Sequence, residues 1–244
     1  MNYPAIRIDK FLGNLGYGTR RDVQAMVARE EVVLDGEVID FPDQRIYLQP
    51  NLATRLAVGG EPLEPLPGML VMLHKPVGVT CSHRKEEAPL VSSLLPPRWR
   101  QRDPQLSTIG RLDKDTSGLL LLTDDGQFLH RVISPKSNVP KRYHVTLDRP
   151  LKGHEQAALA AGTLMLEQEN KPLLPVEMDI INDTTVFVIL REGRYHQVRR
   201  MFAALGNHVT ALHRDRIGSL HLPQDLMAGH YRLLSDAEKQ SVLS

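Results

Sequence analysis

Gly110-Arg111-Leu112-Asp113-Lys114-Asp115-Thr116-Ser117-Gly118-Leu119-Leu120-Leu121-Leu122-Thr123-Asp124-Asp125-Gly126 joins a charged, turn-forming segment to an unbroken apolar run. Leu119 to Leu122 has the length and flanking turn residues of a strand buried on both faces. A strand is therefore expected over residues 117–123, and the loop before it is pinned to a rigid sheet. Arg111 and Asp113 stand two residues apart on that loop. Taken alone, Arg-x-Asp is a surface ion pair; at such a junction it is also where an enzyme would expose a reactive carboxylate. Asp124 and Asp125 precede Gly126 and a helix expected over residues 128–133. They read as caps of that helix rather than as an acid–base pair.

Outward from this junction, residues 69–74, 143–147, 176–181 and 185–190 read as strands, and residues 154–161 and 196–205 as helices. The last helix puts Val198, Met201, Phe202 and Leu205 on one face. The fold class is α+β, with a mixed, largely antiparallel sheet. Toward the N-terminus, Ile8, Phe11, Leu12 and Leu15 recur at helical spacing up to Gly16, and Thr19 with Asp22 opens a second helix carrying Val23, Met26 and Val27. Val32-Val33-Leu34 and Glu37-Val38-Ile39 flank Asp35-Gly36, a tight hairpin signal. Prolines 62, 65 and 67 among Gly59, Gly60 and Gly68 break every periodicity. The expected division is a small domain over 1–60, a Pro/Gly-rich linker over 61–68 and a catalytic domain over 69–244.

No apolar run among the 244 residues approaches the roughly 20 needed to span a bilayer, and the N-terminus is too charged for an export signal. A cytoplasmic location is expected. The single cysteine, Cys81, excludes an intramolecular disulfide and a Cys-based zinc cluster, and reads as a packed residue. The net charge of +1 conceals segregation. Residues 131–152 hold six basic residues against Asp148, and residues 191–216 hold six arginines against Glu192 and Asp215, whereas residues 153–190 set Lys171 against six acids. Basic segments of this kind supply the phosphate-neutralising surface of an RNA binder. No phosphate-binding Gly-x-x-x-x-Gly-Lys loop, no His-Glu-x-x-His and no metal-ligand spacing among the histidines occurs, so neither a cofactor nor a metal is expected.

The run 110–126 resembles the signature of pseudouridine synthases of the RsuA and RluA type, in which Arg-Leu-Asp carries the nucleophilic aspartate. Lys75-Pro76-Val77-Gly78 is similar to the family's upstream motif, Lys141-Arg142-Tyr143 to its tyrosine motif, and Glu192-Gly193-Arg194-Tyr195-His196-Gln197-Val198-Arg199-Arg200-Met201 to its C-terminal one. The resemblance implies the catalytic roles. Asp113 would be the nucleophile, Tyr143 would stack on the target base and act on it through its hydroxyl, and Arg199 would face the aspartate and keep it ionised. Substrate contacts would come from Arg111, Arg200, Lys75, Arg194 and His196. A target base must leave its stack, and the Arg111 guanidinium suits the vacated gap, where it can stack while contacting phosphate. Residue types leave open whether Asp113 attacks the sugar, attacks the base or abstracts a ribose proton.

Residues 1–60 resemble the small RNA-binding domain first seen in a small-subunit ribosomal protein. Residues 1–49 carry six basic against eight acidic residues, so its RNA-binding face must rest on few side chains, with Arg20 and Arg21 foremost beside Arg7 and Lys10. Tyr195-His196-Gln197 and Leu212-His213-Arg214 followed by Arg216-Ile217-Gly218 look closest to the RsuA branch. That likeness implies isomerisation of one uridine of 16S ribosomal RNA, position 516 in the family. The implied partner is ribosomal RNA or an assembling small ribosomal subunit. A synthase of the same type directed at 23S RNA and a non-catalytic ribosome-assembly factor are the alternatives; the second would have a broken nucleophile motif.

Overall fold

The computed structural model describes residues 3–134 and 136–244. They form two compact units, one running through Met69 with Leu95–Ser107 and Thr123–Asp125, the other made of Leu70–Leu94, Thr108–Leu122 and Gly126–Ser244.

The first unit begins with β1 (Ala5–Arg7), α1 (Ile8–Asn14) and α2 (Arg20–Ala28). Thr19 caps α2 through the reciprocal box with Asp22 that the sequence predicts. Then come β2 (Val32–Leu34), β3 (Glu37–Val38), β4 (Arg45–Tyr47), α3 (Leu52–Arg55), β5 (Leu56–Val58) and β6 (Glu61–Pro62). Asp35 and Gly36 both take positive φ, 54° and 85°, the conformation of the expected hairpin turn. Ile8, Phe11, Leu12, Leu15, Val23 and Val27 pack into one apolar core with Val32 and Ile46. Of the stretch read as a linker, β6 pairs with β5 and Leu63 is buried in that core. Asp124 is no helix cap: its carboxylate, buried, receives the Arg102 guanidinium at 2.8 Å and the Gly68 amide at 2.8 Å.

The second unit is built on β7 (Leu70–Lys75), β8 (Ser107–Thr108), β9 (Thr116–Thr123), α4 (Gly126–Ile133), β10 (Lys141–Leu147) and α5 (Glu155–Ala160). They are followed by β11 (Glu177–Asn182), β12 (Thr185–Leu190), α6 (Gln197–Ala204), β13 (Val209–Ile217), β14 (Leu220–His221), β15 (Tyr231–Leu233) and α7 (Asp236–Ser241). The sheet runs β11-β12-β10-β13-β9-β7-β15, with β14 on β13 and β8 on β9. β10 pairs antiparallel with both neighbours, whereas β13 meets β9 in parallel, from Leu212 opposite Thr116 to Arg214 opposite Gly118. Leu119 to Leu122 are all at most 2% exposed, as a strand covered on both faces requires. Leu119 and Leu121 pack with Phe128 and Val132 of α4, while Val145, Val186 and Val188 pack with Val198, Met201 and Phe202 of α6.

Two local irregularities position the site. The β10–β13 register slips, so that Arg142 faces Arg216 but Tyr143 faces Arg214; such a bulge re-aims side chains. At the parallel junction Gly118 has φ +115°, and a Cβ there would lie 2.1 Å from the Arg214 carbonyl oxygen. Only glycine admits so close an approach of the two backbones.

Candidate active site

Asp113 lies on the loop entering β9, half-buried, between exposed Arg111 and exposed Lys114 and Asp115. The loop is tied down through its backbone. The Thr116 amide donates to the Asp113 carbonyl (3.1 Å) and the Gly78 amide to the Lys114 carbonyl (2.8 Å). Lys75, fully buried, inserts its ammonium beneath the loop and donates to the carbonyls of Pro76 (3.0 Å), Lys114 (3.3 Å) and Thr116 (2.7 Å). Burial pushes this amine below the ordinary lysine range, with Cys81, Asp113 and Asp115 pulling the other way. Lys75 thus serves the loop from below and has no surface for the substrate contact expected of it. Cys81 is buried, as expected, and burial raises its thiol against the nearby Leu112 amide, Lys75 and two arginines.

Tyr143 stands in β10 opposite Arg214. The Arg214 guanidinium donates to the Leu119 carbonyl through Nε (2.9 Å) and to the Tyr143 hydroxyl through Nη1 (3.4 Å), with its central carbon 5.9 Å from the ring centroid. Two residues back, burial of Lys141 and then the charge of Arg214 bring its amine down to about 8.

The turn into α6 brings the C-terminal motif to the aspartate. His196 Nε2 lies 3.4 Å from Asp113 Oδ1, and the Tyr195 ring, exposed, stacks on the imidazole at 3.8 Å. Gln197, buried, locks the turn: its side chain accepts from the Arg194 amide (2.9 Å) and donates to Glu192 (3.0 Å). Arg199 does not pair with Asp113 as expected. Its Nη1 donates to the Val209 carbonyl (3.0 Å) and its Nη2 to the Asp115 carbonyl (3.2 Å), because α6 aims it at the backbone of the Asp113 loop rather than at the carboxylate. Arg194 and Arg200, expected on substrate, converge on Glu169 at 3.3 and 3.0 Å. Arg194 also binds Glu192 and the Lys171 and Pro172 carbonyls, and Arg200 the Tyr195 and Glu167 carbonyls. Both are thereby committed to holding the segment before β11 against the turn.

In the N-terminal unit Arg20 is exposed and its Nε meets the buried Asp9 at 2.9 Å; Arg7 meets the same carboxylate at 2.9 Å, and Arg21 is exposed. Arg7, Lys10 and Arg20 line a concavity with Asp9, Gly13 and Asn14. Among the described residues no group of three His, Cys, Asp or Glu is placed to hold a metal ion, and no helix is long and apolar enough to cross a membrane.

Sequence reasoning missed Arg214 as a site residue. Residues 209–217, with four consecutive polar residues from His213 to Arg216, carry no clean alternation and were not read as a strand.

The family pattern of RNA pseudouridylate synthases matches residues 69–204. Along nearly its whole length the chain is similar to proteins named ribosomal small subunit pseudouridine synthase A. It is 42% identical to that of Yersinia pestis over 243 residues (97% of this chain, 98% of the relative). It is 39% identical to that of Pasteurella multocida (strain Pm70) over 234 residues (96% and 97%). A crystal structure of a pseudouridylate synthase superposes with a TM-score of 0.66 at 37% identity, covering 97% of this chain and 99% of the other. With matching motifs, matching architecture and full-length relatives, the chain belongs to the RNA pseudouridylate synthase family, enzymes that isomerise uridine to pseudouridine in RNA.

Proposed function

We propose that the chain isomerises one uridine of 16S ribosomal RNA, the position 516 that the family likeness implies, with Asp113 as the nucleophile. The small-subunit names of its relatives support the substrate. The observation that carries the chemistry is a single half-buried carboxylate on a loop fastened from below by Lys75 and faced by His196.

In the reaction the bond from the ribose carbon to the ring nitrogen breaks, the uracil turns, and a bond forms from the same ribose carbon to a ring carbon. That carbon gives up its proton and the freed nitrogen gains one, so no atom or electron is lost and no cofactor is called for. Asp113 must be ionised to act. Lys75 fixes the loop beneath that carboxylate, His196 stands beside it, and Arg199 holds the loop through the Asp115 carbonyl. Tyr143 offers an aromatic face and a hydroxyl to the base, and exposed Arg111 occupies the gap left in the RNA. The N-terminal unit supplies affinity through Arg20, Arg21 and their neighbours, and no chemistry. A cytoplasmic setting on naked or assembling small-subunit RNA follows from this substrate.

Pseudouridine mapping of ribosomal RNA from cells with and without the gene tests the substrate: one small-subunit site is expected to vanish, and loss of a large-subunit site instead refutes it. Purified Asp113→Asn, which keeps the side-chain size, is expected to bind RNA and form no pseudouridine; residual isomerisation by folded variant would remove Asp113 from the nucleophile's role.

A further inference from the structure

Arg214 is 2% exposed, and it stands among the largest fully buried side chains of the chain. A guanidinium costs several kcal/mol to bury unless its charge and donors are matched. Here the matching is incomplete: Nε and Nη1 are used on Leu119 and Tyr143, but Nη2 is buried with no hydrogen-bond partner among the described residues. The neighbours add repulsion, because the Arg214 charge disfavours the charged forms of both Lys75 and Lys141. An apolar side chain would serve the core better. The backbone nevertheless delivers Arg214 to this place by two devices, the glycine at 118 that lets β13 press against β9 and the register slip that sets Tyr143 opposite.

The donor count decides what this contact does. An arginine can only donate, so the Tyr143 oxygen is the acceptor from Nη1, and the single phenolic proton is left for another acceptor. The contact also restrains the ring, with the guanidinium carbon 5.9 Å from its centroid. We propose that Arg214 is the positioning residue of Tyr143, holding its ring and turning its hydroxyl proton toward the uracil of the extruded uridine. Tyr143 is thereby a hydrogen-bond donor in the reaction. The inference rests on the reading of Asp113 and Tyr143 as the uridine site.

The test is a cycle of Arg214→Gln, Tyr143→Phe and the double variant. Single-turnover rates are measured at saturating target RNA, with affinity measured separately. Each single variant is expected to lose about 100-fold in rate, the scale of one aimed donor, with affinity within about twofold. The double variant should be no slower than the slower single one. Arg214→Lys, which still donates, should recover part of the rate. Multiplying losses, about 10⁴-fold in the double variant, would overturn the inference, as would Arg214→Gln that weakens RNA binding while the saturated rate stays intact. Where circular dichroism shows Arg214→Gln unfolded, the cycle of Arg214→Lys with Tyr143→Phe gives the same two outcomes. Asp113→Asn separates the readings: if it is inactive while the losses multiply, only the role of Arg214 fails, and if it is active, the uridine site itself fails.

Discussion

The imidazole of His196 and the carboxylate of Asp113 meet at 3.4 Å, Nε2 to Oδ1, each about a third exposed. The meeting depends on an unfavourable backbone. His196 sits at φ 48°, ψ 35°, in the left-handed region, directly before α6. Glu192, Arg194 and Gln197 hold that turn by hydrogen bonds, and Tyr195 restrains the ring by stacking. His196→Ala removes the imidazole beside the carboxylate and should lower the saturated rate about tenfold, the scale of one partly exposed polar contact to a charge. His196→Asn, which tolerates the left-handed backbone and keeps a donor, should retain most of the rate. Equal, undiminished rates in both variants would show the contact to be idle in catalysis.

Gly118→Ala should be among the most damaging single methyl additions in the chain. The new Cβ would stand 2.1 Å from the Arg214 oxygen and 2.6 Å from its nitrogen, both backbone atoms that cannot swing aside, on a residue already at positive φ. A loss of about 3 kcal/mol or more is expected, beyond ordinary overpacking, read as a drop in the urea midpoint. Alanine at Gly78, also at positive φ but with nothing within 4 Å, should cost clearly less.

These irregularities mark the limit of what the sequence reveals. The Leu119–Leu122 run, the Thr19–Asp22 cap and the Asp35-Gly36 turn were legible because each is a local pattern whose physics is complete within a few residues. Pairing is not local. The parallel contact of β13 with β9 joins segments far apart in the chain, and it alone explains why Gly118 must be glycine and why Arg214 is buried. The place of Asp113 on a loop before a buried strand was legible, but the side chain beside it was not. The helical position of Arg199 fixes the direction it points, and only the packed structure shows that direction ending at the Asp115 carbonyl while His196 reaches the carboxylate. Asp124 was misread for the same reason, since its partner Arg102 is remote in sequence.

Lys141 should leave a signature in the pH dependence of stability. Desolvation first, then Arg214, lower its amine from the ordinary 10.5 to about 8 in the folded protein. Between those values the unfolded chain binds the extra proton, so unfolding becomes harder as pH rises; below about pH 7 the amine is protonated in both states and contributes no slope. Relative to Lys141→Met, the wild type should therefore gain stability on the order of 2 kcal/mol between pH 7 and pH 9.5. Urea titrations of both proteins at the two pH values measure it. A difference that does not change with pH would place the folded amine near its ordinary value.

Asp9 gives the N-terminal unit a test in which two physical effects have opposite signs. Its carboxylate is 2% exposed and accepts from Arg7 through Nε (3.1 Å) and Nη2 (2.9 Å), from Arg20 (2.9 Å) and from the Lys10 amide (2.7 Å). Burial pushes this carboxyl up, but the hydrogen bonds from Arg7, Arg20 and Lys10 outweigh it and hold the group below the ordinary aspartate range. Its stabilising contribution is thus complete at neutral pH and is lost as pH falls through the folded value. Asp9→Asn removes a negative charge beside a basic concavity, which by long-range attraction alone would tighten binding to a polyanion. If instead Arg7 and Arg20 are presented to phosphate by the carboxylate, the variant releases both guanidinium groups and RNA affinity falls. A fall is expected. The Arg20→Ala, Arg21→Ala double variant should likewise bind more weakly, with the salt dependence shallower by about one unit per lost phosphate contact, while the turnover of saturated RNA stays far above that of Asp113→Asn. Tighter binding by Asp9→Asn with an unchanged salt slope in the arginine variant would take this face out of the RNA interface.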